Sequence, residues 1–366
     1  MNRAVMVAVL VGALTLTSCN RVLDSDPYSP APPPPQTIPP DPEVQLNYYF
    51  GNLHSHTGYS DGIGTPDEAF DWARYMAGYD FYAITDHGEL LTSSQWRSIG
   101  RSADAKNVDG QFVALRGFEW THPRYGHINV LNTASFTSVV LTYDPDDFYA
   151  WIDKNDGLAQ FNHPGRESAS FQNFAYLDNA YDNFFAIETG NGSRGNNNGL
   201  YTPFFGAALE KGWRLAPTNN QDNHTLSTNS HRTVIIASAL TRDDLIEAMR
   251  ERRLYSSDDP NTRLSFKSGN FRMGSNIVGA PGMYTFNVVV DDDEPITKIE
   301  LLNRAGTILD THVPPSGQTD VSTVFSIEVE ENDCFYVKVY QDDTNNDDTE
   351  YSRQITIGAP IWIYPG

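Results

Sequence analysis

Between about residues 47 and 260, apolar and polar positions alternate between two periods. Thr65-Pro66-Asp67-Glu68 has the form of a capping box with proline at the first helical position. Ala69, Trp72, Ala73 and Met76 follow at i, i+3, i+4 and i+7. That spacing predicts a helix with one apolar stripe, closing near Gly78. The run FYAIT (81–85) then reads as a short buried strand. The unit repeats. A polar helix around 92–106 precedes QFVALRGF, DPDDFYAWIDKN precedes LAQFN, and YTPFFGAALEKG precedes WRLAPTN. RTVIIA leads through Thr241-Arg242-Asp243-Asp244 into LIEAMRER. Alternation of this kind argues for an α/β fold on a parallel sheet, most simply one closed into a barrel.

From about Thr262 the period changes to two. GMYTFNVVV, ITKIELLNRAG, STVFSIEVE, CFYVKVY and RQITIGAPIWI alternate between turn signals, and no helical stripe interrupts them. Residues 261–366 are therefore expected to form a small antiparallel β-sandwich. The acidic stretch QDDTNNDDTE (341–350) lacks the ordered spacing of a calcium loop and reads as a solvated hairpin tip.

The first residues carry a different pattern. Arg3 precedes an apolar run from Ala4 to Leu16, too short for a comfortable membrane span and of secretory-signal length. Leu16-Thr17-Ser18-Cys19 resembles a bacterial lipobox. Residues 1–18 are then a lipoprotein signal peptide, and Cys19 becomes the diacylated N-terminus, a lipid anchor to the bacterial membrane. Asn20 after it implies sorting to the outer membrane, with the protein facing the periplasm or exterior. The plainer alternative is an ordinary signal peptide with a chance cysteine. Residues 19–46, rich in proline, are expected to form an extended tether. With Cys19 lipidated, Cys334 has no disulfide partner and reads as a packed small hydrophobe.

A formal charge of −22 opposes binding to polyanions, so no nucleic-acid polymer is expected as a partner. A small anionic or ester substrate is still compatible, because bound cations reverse the field locally.

Histidines and carboxylates recur where apolar runs stop. They are His54, His56 and Asp61 in LHSHTGYSDG, Asp86 and His87 in AITDHGE, and Glu119 in RGFEW. His127 in GHINVL, His163 in FNHPG, and Asp222 with His224 in NNQDNH complete the series. Strand ends in a parallel sheet share one rim, so these side chains are expected to converge. Nitrogen and oxygen donors without a thiol suit zinc, manganese or iron. Alone, His127 or His163 would read as a hydrogen-bonded structural histidine; the company of the others changes that. Glu119 has two oxygens to share between two ions, and Asp86 is placed to orient a ligand imidazole.

The order HxH–Asp, TDH, Glu, His, NHPG, DxH resembles the PHP (polymerase and histidinol phosphatase) superfamily. The resemblance implies a distorted (β/α)7 barrel over 47–260, holding two or three divalent ions. Its ligands would be His54, His56, Asp61, His87, Glu119, His127, His163, Asp222 and His224. GNLHSHTGYSDGIGTPDEAFDWA…GYDFYAITDH is similar to the carbaryl hydrolase-type branch, whose members often carry a signal peptide and a C-terminal β-domain. Asp61 stands where some members have histidine, which favours a hydrolase over a polymerase-associated module. His122 and His231 match no ligand motif; His231 is either a proton donor or substrate contact, or a surface histidine. Arg166 after NHPG and Arg194 in GNGSRGNNNG are candidates to anchor an anion, with solvent salt bridges as the alternative. Glu188, ending FFAIE, also faces the rim.

The expected function is envelope-anchored, metal-dependent hydrolysis of phosphoesters by a metal-bridged hydroxide. Carbamate, ester or amide hydrolysis at the same centre is the alternative, and a non-catalytic binding lipoprotein a third. Arginines facing the metals favour phosphoesters. An apolar pocket fed by Trp120, Phe171 or Phe204 favours carbon esters.

Overall fold

The computed structural model describes residues 45–175, 181–192, 198–344 and 353–366. Cys19, the signal peptide, nearly all of the tether, Arg194 and most of the acidic stretch 341–350 lie outside these residues. The chain is a mixed α/β structure with one large sheet and few helices.

The first half runs β1 (Asn47–Asn52), α1 (Pro66–Tyr75), β2 (Phe81–Ile84), α2 (Ser93–Lys106), β3 (Val113–His122) and β4 (Gly126–Leu131). It continues with α3 (Pro145–Lys154), β5 (Leu158–Asn162), α4 (Phe171–Phe174), β6 (Phe184–Asn191), α5 (Thr202–Glu210) and β7 (Ala216–Asn220). The helices start where capping chemistry places them. Thr65 accepts from the Glu68 amide while Glu68 returns a carboxylate to the Thr65 amide, and Thr92 and Gln95 repeat the exchange at α2. The element α4 is one left-handed turn, with positive φ at Phe171, Gln172, Asn173 and Phe174.

Strands β1, β2 and β3 pair in parallel, as do β5, β6 and β7. The expectation of a wholly parallel sheet fails at β4, which is antiparallel to both β3 and β5. Only residues 123–125 separate β3 from β4, too few for a parallel crossover, so the chain must fold back as a hairpin. Beyond β7 the chain returns to the end of β1: Ser55 bridges Asn223, and the His56 amide donates to Asn223 O at 2.8 Å.

The remaining elements are β8 (Arg232–Ala237), α6 (Arg242–Arg250), β9 (Leu254–Ser257), β10 (Arg263–Ser268), β11 (Phe271–Arg272), β12 (Asn276–Gly279) and β13 (Gly282–Asp291). After them come β14 (Ile296–Asn303), β15 (Ile308–His312), β16 (Asp320–Val329), β17 (Asp333–Gln341), β18 (Gln354–Gly358) and β19 (Ile361–Pro365). Strands β11, β10, β13 and β16 form a separate four-stranded sheet. The rest are not parted from the first half. β18 pairs with β9, Thr356 opposite Ser257, so one sheet runs from β12 through β19, β17, β18, β9 and β8 to β1. The apolar core follows the same continuity. Val234, Ile235 and Leu254 share a cluster with Leu264, Phe286, Val337 and Ile361. Cys334 is buried within the aromatic cluster packed by α1, α2 and α3.

Candidate metal centre

Nine side chains meet at the rim where β1, β2, β5, β6 and β7 end. They form four overlapping groups whose donor atoms lie within 4.8 Å of one another: His56–Asp61–His87–His224, His54–His56–Glu119, His54–His163–Asp222 and Glu119–His127–His163. All nine are residues the sequence singles out as ligands. Glu119 is common to two groups. Its Oε1 stands 3.2 Å from His54 Nε2, 3.2 Å from His127 Nδ1 and 3.4 Å from His163 Nε2, while Oε2 is 3.5 Å from His56 Nε2. Asp222 Oδ1 lies 3.3 Å from His54 Nε2 and 3.1 Å from His56 Nε2. Asp61 joins the outer group, 3.2 Å from His224 Nε2 and 3.5 Å from His87 Nε2.

His127 reaches this rim for a reason the strand-end rule does not contain. It sits at the beginning of β4, not at an end, and pairs with Thr121 and Asn162. Because β4 runs against its neighbours, its first residues lie beside their last. Glu119 likewise lies inside β3, three residues before that strand stops.

Burial and charge show what the cluster lacks. Burial pushes His54 down, but Asp222, Glu119 and Glu188 together hold its ring well above the ordinary histidine range. Burial would raise Glu119, yet His54 and the imidazole contacts hold it well below the carboxylate range; Asp222 behaves alike, with His54 and His56 opposing burial. His87 is raised to about 9, Glu119 outweighing the penalty of burial. The carboxylates thus call for positive charge, part of which Arg166 supplies at Asp222. His163 sharpens the point. Its ring is fully buried, Nε2 reaches only Glu119 Oε1 at 3.4 Å, and Nδ1 has no hydrogen-bond partner. Two ligands at about 2.1 Å from one ion sit roughly 3–3.5 Å apart, the spacing seen across these groups. The donor set fits divalent metals.

The surroundings fix which ring nitrogen is free. Glu188 Oε1 accepts from His54 Nδ1 at 3.0 Å, leaving Nε2 facing Glu119 and Asp222. His224 Nδ1 donates to Asp222 O at 2.7 Å, and His87 Nδ1 lies 2.6 Å from Thr121 Oγ1. The carboxylate and carbonyl acceptors set the tautomers of His54 and His224, and at His87 the acceptor is Glu119 Oε2, 2.9 Å from Nδ1. Glu188 also takes the His163 amide on Oε2 at 2.7 Å, steadying a residue whose φ is +27°. Next to it Gly165 has φ +95°, and a Cβ there would stand 2.3 Å from the Phe204 ring. Sequence reasoning placed Glu188 at the rim and gave it no task; a lone carboxylate ending a strand carries no local motif. Asn162, which donates to Glu119 Oε1 at 2.8 Å, went unnoticed for the same reason. So did Glu167, 3.7 Å from His127 Nε2 with a buried, unpartnered Oε2.

The remaining candidates divide. Asp86 touches no imidazole. Its oxygens accept from the Thr57 amide (2.7 Å), Thr57 Oγ1 (2.7 Å) and Ser60 Oγ (2.6 Å), and Ser60 in turn lies 3.3 Å from His56 Nδ1. It fastens the turn after HxH and reaches His56 only through Ser60. Arg166 stands at the mouth, its Nη1 donating to Asp222 Oδ2 at 3.2 Å and Nη2 to Asn191 Oδ1 at 2.7 Å. His231 belongs to none of the groups. It is buried 3.7 Å from Asp258, and burial together with Arg232 pushes it down to about 4, so it is neutral and ill-suited to donate a proton. His122 caps the β3–β4 turn, its Nδ1 accepting from the Arg124 and Tyr125 amides.

No protein-family model matches this sequence, and no curated protein matches it. Among solved structures, the chain is similar to a two-domain protein from Bacteroides vulgatus ATCC 8482 containing a predicted PHP-like metal-dependent phosphoesterase. Identity is 15%, the TM-score 0.46, and the match covers 90% of this chain and 100% of that one. It is also similar to Endonuclease Q in complex with a 27-mer duplex carrying an abasic lesion. There the identity is 12% and the TM-score 0.39, over 56% of this chain and 57% of the other.

Proposed function

We propose that this chain is a metal-dependent phosphoester hydrolase of the PHP type, working on small anionic substrates. One observation carries the reading: a guanidinium, Arg166, is fixed beside the donor cluster by Asp222, Asn191 and the Tyr201 hydroxyl. Trp120 is fully buried and stacks on Phe148 at 4.3 Å, Phe171 packs on Phe161, and Phe204 covers Gly165. None supplies the apolar cup that a carbamate or carboxylic ester would use. The rim is lined instead by charge.

Two or three divalent ions (zinc, manganese or iron) held by the nine ligands would activate water and polarise the phosphoryl oxygen. The chain's own residues do the rest. Glu119 draws the inner histidines together, and Glu188 and the Asp222 carbonyl keep His54 and His224 in fixed tautomers. Arg166, half-exposed and tethered by Asp222 and Asn191, can keep one contact while offering an N–H to a phosphoryl oxygen. Burial of the inner ligands excludes bulk water, which strengthens these interactions.

The same reading takes 47–260 as the distorted (β/α)7 barrel and 261–366 as its β-sandwich partner. The Ser55–Asn223 bridge supports closure of the barrel. It also takes the carbaryl hydrolase-like branch as the nearest kin within the superfamily. The lipobox-like LTSC and the proline-rich stretch support an enzyme anchored through Cys19 in a bacterial envelope, with no nucleic-acid polymer as partner.

Protein loaded in turn with zinc, manganese or iron should hydrolyse chromogenic phosphomonoesters or phosphodiesters in preference to carboxylesters and carbamates. Arg166→Gln should raise KM for the phosphoester about tenfold or more, with a smaller change in kcat. Turnover of carbon esters alone would overturn the assignment.

A further inference from the structure

A second group of acidic side chains lies away from the histidines, where the stretch after β9 meets the C-terminal strands. Asp259 precedes β10, Asp292 and Asp293 follow β13, and their carboxylate oxygens gather within 4.8 Å. Asp259 is fully buried. Its Oδ1 accepts from the Asn261 amide (2.7 Å), the Thr262 amide (2.7 Å) and Thr262 Oγ1 (2.9 Å), but Oδ2 is buried with no partner at all. A buried carboxylate oxygen left bare is costly, because its lost hydration is not replaced.

The nearest donors are spent elsewhere: Gln341 Nε2 donates to Asp292 Oδ2 at 2.8 Å and lies 3.2 Å from both Thr262 Oγ1 and Gln354 Oε1. Thr262 Oγ1 lies 2.9 Å from Asp259 Oδ1, 2.5 Å from Asp292 Oδ2 and 3.3 Å from Gln341 Oε1. A hydroxyl owns one hydrogen, so Thr262 can serve only one of the two carboxylates. Among the described residues none of the three carboxylates has a cationic side chain in an ion pair; Arg263, close in sequence, pairs with Asp291 instead. Burial, with Asp292 beside it, pushes the Asp259 carboxyl upward, and burial raises Asp292 as well.

We propose that Asp259, Asp292 and Asp293 form a calcium site distinct from the histidine-lined centre. The donors are all oxygen, carry three negative charges and include no imidazole or thiol. That composition selects a hard cation that accepts several oxygens in irregular geometry. The site joins the stretch after β9 to the β13–β14 turn, so the ion would clamp two segments that no helix connects. It does not include the acidic stretch 341–350, whose sequence lacks the spacing of a calcium loop.

The test uses the full chain with its histidine centre already saturated with zinc or manganese, titrated with calcium by calorimetry and followed by thermal unfolding. One calcium per chain should bind, and Tm should rise by roughly 3–5 °C at saturating calcium. Asp292→Asn should abolish both effects and leave zinc or manganese content unchanged. His87→Ala, which cripples the other centre, should retain both. Should Asp292→Asn fail to fold, Asp293→Asn, on the exposed side of the group, should fold and bind calcium at least tenfold more weakly. No uptake by the unaltered chain at millimolar calcium, or equal uptake by Asp292→Asn, overturns the proposal. So does an Asp292→Asn chain that is more stable than its parent while the parent ignores calcium, because the carboxyls then share a proton.

Discussion

The single most consequential side chain that binds nothing itself is Glu188. It ties His54 Nδ1 through one oxygen and the His163 amide through the other, with Asn191 and Asn220 filling its remaining lone pairs. Glu188→Gln keeps the shape and removes the charge that fixes the His54 tautomer. Metal affinity should fall about 10–100-fold in competition with a chromophoric chelator, while the metal-free protein stays folded. Unchanged affinity would show that Glu188 does not orient the ring. At this scale the sequence was generous for some residues and silent for others. The nine clustered donors come in short motifs, such as HSH, TDH and DNH, that survive translation into space. Glu188, Asn162 and Glu167 have no such company, and their tasks emerge only once strands lie side by side. His231 shows the converse: a conspicuous histidine beside an arginine turns out buried, neutral and outside every donor group.

Elements were legible where local chemistry decides them and obscure where partner choice does. Capping boxes at Thr65 and Thr92 announce α1 and α2, and both helices begin where those residues stand. Direction is another matter, because period-two alternation is the same in parallel and antiparallel strands. The three-residue 123–125 connection settles it, and reading the strand as ending near Glu119 hid the hairpin. The turn after β1 depends on Asp86 in a comparable way. It receives three donors from Thr57 and Ser60, so Asp86→Ala would strand them in a buried pocket. We expect a loss of about 2–4 kcal/mol in denaturant unfolding, present even in chelator-treated protein. A residue serving only turnover would leave that midpoint unmoved.

At the scale of the molecule, composition separated the alternating first half from the β-rich remainder, but it could not reveal that hydrogen bonds cross the parting. Leu264 and Phe286 lie in the same apolar cluster as Val234 and Leu254, and β18 lies along β9. A chain cut after residue 260 should therefore fail to yield a monomeric, metal-binding fragment. It would expose the β9 edge and the apolar faces that β10, β13 and β17 cover. Size-exclusion chromatography of the fragment would show aggregates; a clean monomer that binds zinc would refute the shared core. The register Thr356 opposite Ser257 has a further consequence for how the polypeptide is made. The partner for that edge is synthesised about one hundred residues later. Until then the nascent protein carries an uncovered strand, so its maturation should lean on holding factors and be slow to finish, however early the histidine-bearing segment takes shape.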